Sequence, residues 1–278
     1  MGLSPNDVAP SGLQKRTVKS RESSSTTEVG VDLVADEVPV AVTYNGKTHA
    51  VMMASPVDLE DFAVGFSLTE GIVNQLNDIS SVEVVTASQG VSLQVVVPAR
   101  FNDRLAQRQR SLSGRAGCGI CGLSDIAAAV PNLTPLNSMA APSHSAVSLA
   151  SQTLHAKQSL QQACGGIHGA ALCNGSGEVL LVREDVGRHN ALDKLIGAAF
   201  KANPERPFDE TDFILLSSRA SHELVNKCVM AGVTSLVTIS AASSLAIDIA
   251  NQTNLNLIGF VRGDRQLIYS PAPKALEF

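Results

Sequence analysis

Apolar and polar positions alternate in two regions of the chain, separated by a stretch with no period. Residues 38–44 and 47–53 alternate with a period of two around Asn45-Gly46, a pair that tolerates the positive φ angles of a type I′ turn, and so predict a β-hairpin. Ser55-Pro56-Val57-Asp58 then reads as a helix start, with Ser55 as N-cap and proline in the first turn. Leu59, Phe62, Ala63 and Phe66 supply the i, i+3, i+4, i+7 stripe, and Gly71 suits the helix end. Strands are expected over 82–85 and 91–97, which makes residues 37–113 a small α+β domain. Residues 1–36 are rich in Ser, Thr and charge and lack a period, so they read as a mostly flexible tail with room for a strand near its end.

Residues 114–142 carry Gly114, Gly117, Gly119, Gly122, Pro131, Pro135 and Pro142 and read as a mobile loop. From residue 143 to 278 the pattern resumes. A helix is expected over 145–162, with Val147, Ala150 and Leu154 on one face. A hairpin follows over 170–173 and 179–182, joined by Asn174-Gly175-Ser176-Gly177. Helices over 188–200, 221–231 and 244–252 then alternate with strands over 213–216, 236–239 and 255–261, and an edge strand closes the chain at 267–269. Such alternation implies right-handed crossovers and a largely parallel sheet with helices on both faces, made mixed by the hairpin.

Ligands of such sheets bind beyond the carboxyl ends of the strands. Four consecutive strand ends are polar here: one runs into Asp185-Val186-Gly187-Arg188-His189, one into Ser217-Ser218-Arg219, one into Ser240-Ala241-Ala242-Ser243, and one into Arg262-Gly263-Asp264-Arg265. Three lead into helix N-termini, whose free N–H groups attract anions. The pattern points to a phosphate-rich ligand; the plainer alternative is N-capping by Ser and Asp.

The chain has 278 residues, of which 44% are hydrophobic, enough for a sizeable core. A net charge of −5, 4% aromatic residues and no Trp argue against nucleic-acid binding. No apolar run reaches the ~18–20 residues of a membrane span, and no secretory signal is visible, so a cytoplasmic protein is expected. Five cysteines, an odd number, fit a reducing compartment. Cys173 and Cys228 fall on inward faces. Cys118 and Cys121 form a C-x-x-C flanked by Gly117, Gly119 and Gly122, downstream of Arg100, Arg104, Arg108, Arg110 and Arg115. Nearby positive charge favours the thiolate, the reactive form. Two such thiols can form a disulfide, supply half a metal site, or act as nucleophile and resolver. No second C-x-x-C accompanies them, and Cys164 and His168 stand at no standard ligand spacing, so no structural metal is expected. His222-Glu223-Leu224-Val225-Asn226 lacks the second His of a zincin. His189 and His168 sit beside the expected ligand face.

Taken together, Gly117–Gly122, the stretch from Glu184 to Lys194, and Ser217-Ser218-Arg219-Ala220-Ser221 resemble the formate dehydrogenase accessory sulfurtransferase family, FdhD. Residues 65–72 and Ser240-Ala241-Ala242 extend the resemblance, which runs from about residue 36 to 270. It implies a cytidine-deaminase-like, three-layer α/β/α carboxy-terminal domain with a mixed sheet, preceded by a smaller α+β domain. It also implies a sulfurtransferase. Sulfane sulfur from a cysteine desulfurase would ride on Cys118 as a persulfide, with Cys121 as a second thiol. The acceptor would be molybdenum bis-molybdopterin guanine dinucleotide, bound as substrate, and the beneficiary formate dehydrogenase. Phe260, Val261, Arg262, Gly263, Asp264 and Arg265 match the family's cofactor-binding segment, and Asp185, His189, Ser217, Arg219 and Ser240 are added from the strand ends. Cys164 stands where the family pattern expects Thr. Two other readings are a non-catalytic cofactor chaperone and a thiol–disulfide oxidoreductase. Homodimerisation is left open.

Overall fold

Two sheets and the helices between them make up most of the computed structural model, which describes residues 8–20, 28–112 and 133–271. Cys118, Cys121 and most of the expected loop lie outside the described residues. β3 (Val38–Tyr44) and β4 (Lys47–Ala54) form the expected hairpin, with Asn45 at φ 49° and Gly46 at φ 80°. With β5 (Ser81–Ala87) and β6 (Gly90–Val96) they build a four-stranded sheet of order β4-β3-β6-β5, in which β3 and β6 are parallel. α1 (Leu59–Thr69) buries Phe62, Phe66 and Leu68 with Val40, Val42 and Leu93 of this sheet. The helix starts later than its signals suggest. Asp58 is the N-cap, at φ 51° and ψ 38°, because Ser55 is drawn into a tertiary contact described below. α2 (Asn102–Leu112) follows β6.

The second sheet has the order β12-β11-β10-β9-β7-β8. Its members are β7 (His168–Cys173), β8 (Val179–Asp185), β9 (Phe213–Leu216), β10 (Ser235–Thr238), β11 (Asn256–Arg262) and β12 (Arg265–Ser270). β9, β10 and β11 are parallel; β7 is antiparallel to both its neighbours, and β12 to β11. Side-chain alternation decides the layers. Ile214 and Leu216 join a core with α5 (Arg188–Ala202), α6 (His222–Met230) and α7 (Ser244–Gln252). Phe213 and Leu215 face the other way, toward Val147, Ala150 and Leu154 of α3 (His144–Lys157). Helices therefore cover both faces of this mixed sheet.

The single helix expected over 145–162 is two. Gln158 leaves the helical region at φ −93° and ψ 83°, and α4 (Ser159–Cys164) restarts the chain. Glu184 of β8 holds the break: its carboxylate accepts the N–H groups of Leu160 (3.0 Å) and Gln161 (2.9 Å), the donors a new helix leaves open. A second correction concerns the tail. Within residues 1–36, β1 (Leu13–Ser20) and β2 (Glu28–Ala35) pair antiparallel. Only Leu13 and Leu33 of this ribbon are buried hydrophobics, too sparse a pattern to announce strands. Residues 133–142 form no helix or strand, yet Leu133 and Leu136 pack on the core and Leu136 N–H donates to Thr253 O.

α1 and α5 join the two halves through glycine. A Cβ on Gly65 would lie 1.7 Å from the Asp193 carbonyl oxygen, and one on Gly197 1.9 Å from that of Asp61. Only the missing side chains let the two backbones approach so closely. Among the described residues no helix is long and apolar enough to cross a membrane.

Candidate functional site

The strand directions place the ends of β8, β9, β10 and β11 on one edge of the six-stranded sheet, beside the starts of β7 and β12. This rim is braced by its own backbone. Ser217 N–H donates to Gly169 O (3.0 Å), and Gly169 N–H returns the bond to Ser217 Oγ (2.9 Å). Ala220 N–H donates to Ala241 O and Ser243 N–H to Ala220 O, which ties the β9–α6 turn to the β10–α7 turn. Ser240 contributes its carbonyl, which accepts from Phe260 N–H (3.0 Å) and Thr238 Oγ1 (2.8 Å).

Several expected ligand residues meet on the rim. Arg219, Gly263, Asp264 and Arg265 are exposed. Phe260 adopts φ 58°, rare for a residue with a side chain, where β11 departs from regular pairing with β12. The Arg265 guanidinium lies 4.8 Å from the centre of the Phe260 ring. Arg262 pairs with Arg265 across the turn. His189, in the first turn of α5, places Nε2 3.7 Å from Glu223 Oε2, which also lies 3.4 Å from His222 Nδ1. Burial opposes ionisation of Glu223, but His189, Ser221 and His222 outweigh it and hold the carboxyl at about 2. His168 is pushed below the ordinary histidine value, first by burial and then by the charges of Arg188 and His189.

Two expected ligand residues face elsewhere. Val261 is part of the core beneath α3, so its side chain packs inward. Asp185 is fully buried. Its Oδ2 lies 2.6 Å from Lys194 Nζ and accepts Ser55 N–H (3.0 Å), while Oδ1 accepts from Gly187 N–H (2.7 Å) and Asn190 Nδ2 (2.9 Å). Lys194 Nζ in turn donates to Ser55 O (2.9 Å). Asp185 is therefore an anchor between the halves, and no oxygen is left for a ligand. Asp193 behaves alike: it meets Lys227 Nζ at 2.9 and 3.0 Å and accepts from Thr69 Oγ1 at 2.7 Å, with Glu70 completing the cluster. Burial pushes the Asp193 carboxyl up, with Lys227 opposing.

The thiols separate as cleanly. Cys173 and Cys228 are buried and unpaired, and burial pushes Cys173 up to about 12 and Cys228 upward as well. Such thiols are not nucleophiles near neutral pH. Cys164 is half-buried at the end of α4.

Beside the rim, and sharing His168 and Ser217 with it, lies a cleft of about 590 Å³ between α3, α4 and the strand ends. Gln158 lines it, a residue no sequence motif marked. Lys194 and Lys227 were also invisible as anchors, because helical periodicity reports which face is inward but not that a lysine there meets a buried carboxylate.

With this geometry in place, comparison with known proteins is informative. The chain is 48% identical over 239 residues to the sulfur carrier protein FdhD of Variovorax paradoxus, covering 86% of this chain and 85% of that one. It is 43% identical over 262 residues to the protein of the same name from Bordetella bronchiseptica, covering 94% of each. A crystal structure from Desulfotalea psychrophila, assigned as a formate dehydrogenase accessory protein, superimposes with a TM-score of 0.70 at 21% identity, covering 94% of this chain and 98% of that one. The family model FdhD/NarQ matches residues 35–276, nearly everything but the amino-terminal ribbon, and the chain belongs to that family.

Proposed function

We propose that this chain is a sulfur carrier serving formate dehydrogenase, with Cys118 as the carrying thiol. In the loading step the Cys118 thiolate attacks the outer sulfur of a cysteine desulfurase persulfide. The S–S bond of the donor breaks, the donor leaves as a thiolate, and Cys118 becomes the persulfide, with the proton retained on the outer sulfur. The chain is then a sulfurtransferase, with Cys121 as a second thiol. The acceptor is molybdenum bis-molybdopterin guanine dinucleotide, a large anion bound as substrate on the rim. Its phosphates suit Arg219, Arg265 and the N-terminus of α6. The carboxy-terminal domain, residues 143–278, is of the cytidine-deaminase-like type, the smaller domain spans 37–113, and the protein works in the cytoplasm.

The observation that carries this reading is the family match, with relatives named sulfur carrier proteins covering most of the chain. The rim supports the cofactor half of it, since exposed arginines and the start of α6, which no Ser221 side-chain bond caps, share one sheet edge. Intact-mass measurement after incubation with a cysteine desulfurase and cysteine tests the carrier half. Cys118 is expected to gain one or more sulfur atoms, reversibly with reductant, and Cys118→Ala to abolish activation of formate dehydrogenase. Full activation by Cys118→Ala would overturn the relay and leave a cofactor chaperone.

A further inference from the structure

α2 and the turn before it carry the opposite charge from the chain as a whole. Residues 99–112 hold four arginines, Arg100, Arg104, Arg108 and Arg110, against one acid, Asp103, in a protein of net charge −5. The apolar side of this segment is already used. Phe101 is buried and Leu105 packs with it on the core of the four-stranded sheet, whereas Asn102, Asp103, Arg104, Ala106 and Gln107 are exposed. α2 therefore lies along the surface with its polar side open.

The arginines are not equivalent. Arg100 Nη2 meets Asp78 at 2.5 Å, so its charge is cancelled within the protein. Arg104 Nη1 donates to Asn74 Oδ1 at 2.8 Å, and its guanidinium lies 5.5 Å from the centre of the Phe101 ring. Both partners of Arg104 are neutral: they fix the side chain and leave its charge uncancelled. Arg108 follows Arg104 by one helical turn, so the two positions form one row along α2. Like charges four residues apart cost a helix stability, so folding does not account for the row.

Charge and place together indicate the occupant. A basic helix whose apolar side is already packed has no apolar face to lay into a lipid surface. The net negative charge of the chain opposes a long polyanion such as a nucleic acid. A folded acidic surface fits. Cys118 follows Leu112 by six residues, and six residues of chain reach at most about 22 Å, so a protein that delivers sulfur to this thiol comes close to α2.

We propose that Arg104 and Arg108 on α2 dock an acidic patch of the persulfide-bearing cysteine desulfurase. The proposal rests on the reading of the chain as a sulfur carrier. Charges at a docking surface act mainly on the association rate, and their effect fades with salt. Association of the full-length protein with an immobilised cysteine desulfurase measures that rate apart from any chemistry. Arg104→Glu/Arg108→Glu is expected to slow association about tenfold at ~0.01 M salt and by less than about twofold at ~1 M salt. Arg104→Gln/Arg108→Gln, which introduces no new charge, is expected to slow it about threefold at low salt. Arg104→Lys/Arg108→Lys keeps the charge and is expected to associate at nearly the unmodified rate. Melting temperature, alkylation of Cys118 by iodoacetamide and binding of guanosine diphosphate are expected to stay unchanged in all three, which separates docking from tuning of the thiol and from cofactor binding. No association in the unmodified protein, unchanged association in the Glu and Gln variants, a slowing that persists at high salt, or a change confined to alkylation or nucleotide binding would each overturn the proposal. Persulfide loading, followed by mass on the same preparations, keeps the two ideas apart. Salt-dependent association without loading supports the docking site and overturns the carrier; loading with unchanged association in the Glu variant overturns the docking site alone.

Discussion

The seam between the two sheets and the rim of the larger one draw on the same residue types, often from the same few positions of the chain, and put them to opposite use. In the seam, Asp185 and Lys194 meet at 2.6 Å with both side chains 0% exposed. Lys227 is likewise enclosed by Asp193, Glu70 and Thr69. Every one of these groups is satisfied by protein. On the rim, Arg219, Asp264 and Arg265 stand in solvent, and the backbone beneath them is held by carbonyls and hydroxyls. His189 lies only four residues beyond Asp185 yet sits on the open side, beside Glu223. A polar residue after a strand is thus no indicator of a ligand by itself; what matters is whether the protein has already supplied its partner. The seam spends its charge on joining two halves, whereas the charge on the rim is left exposed.

The largest effect should come from breaking the seam. Lys194→Met leaves Asp185 buried without its cation, and losing one member of a buried pair typically costs ~3–5 kcal/mol. Urea unfolding should show a loss of that order, and a loss below ~1 kcal/mol would mean that the seam is not what holds the halves together. The rim should respond in the opposite sense. Arg265→Ala and Arg219→Ala should leave stability within ~0.5 kcal/mol, as expected for surface changes. They should nevertheless weaken guanosine diphosphate binding about ten- to 150-fold, the loss of a charge-assisted contact. Calorimetry and urea melts on the same variants read both halves, and unchanged affinity in both would move the ligand to another face.

Gly65→Ala probes the helix crossing beside the seam. The added methyl meets a backbone carbonyl of α5 and has no room, so overpacking should cost ~1–3 kcal/mol. Thermal melting against a solvent-facing substitution such as Glu60→Ala provides the comparison. The smallest effect concerns pH. The folded-state value of His168 lies below its unfolded value, so the unfolded chain binds the extra proton first as pH falls below about 6.5. His168 should therefore take away stability as pH drops through the unfolded value, and have no influence above it. Urea midpoints at pH 7.5 and 5.5 should fall further for the unmodified protein than for His168→Gln. An equal fall in both would mean that His168 is not the group responsible.

Much of this was readable before any tertiary contact was known, where the signal is local. The Asn45-Gly46 hairpin, the strand at 213–216 and the helix at 244–252 appear as the pattern predicts, because turn chemistry and side-chain period act over a few residues. The order of strands and helices also foretold that four polar strand ends would share an edge, since right-handed crossovers leave little alternative. The ribbon at 13–35 escaped notice because two buried leucines do not make a period, and the break at Gln158 because its cause, Glu184, lies elsewhere in the chain.

The sequence alone therefore determined the family, most of the succession of elements from residue 38 onward and the edge on which four polar strand ends gather. Only the tertiary structure decided which polar side chains of that edge remain open. Asp185 and Arg219 look equally available in the sequence, but Asp185 finds Ser55, 130 residues away, and Lys194 beside it, while Arg219 stays exposed. The physical reason is that hydrophobic period and turn propensity are set by near neighbours. The cost of burying a charge, by contrast, is settled by partners the chain brings together only when it folds.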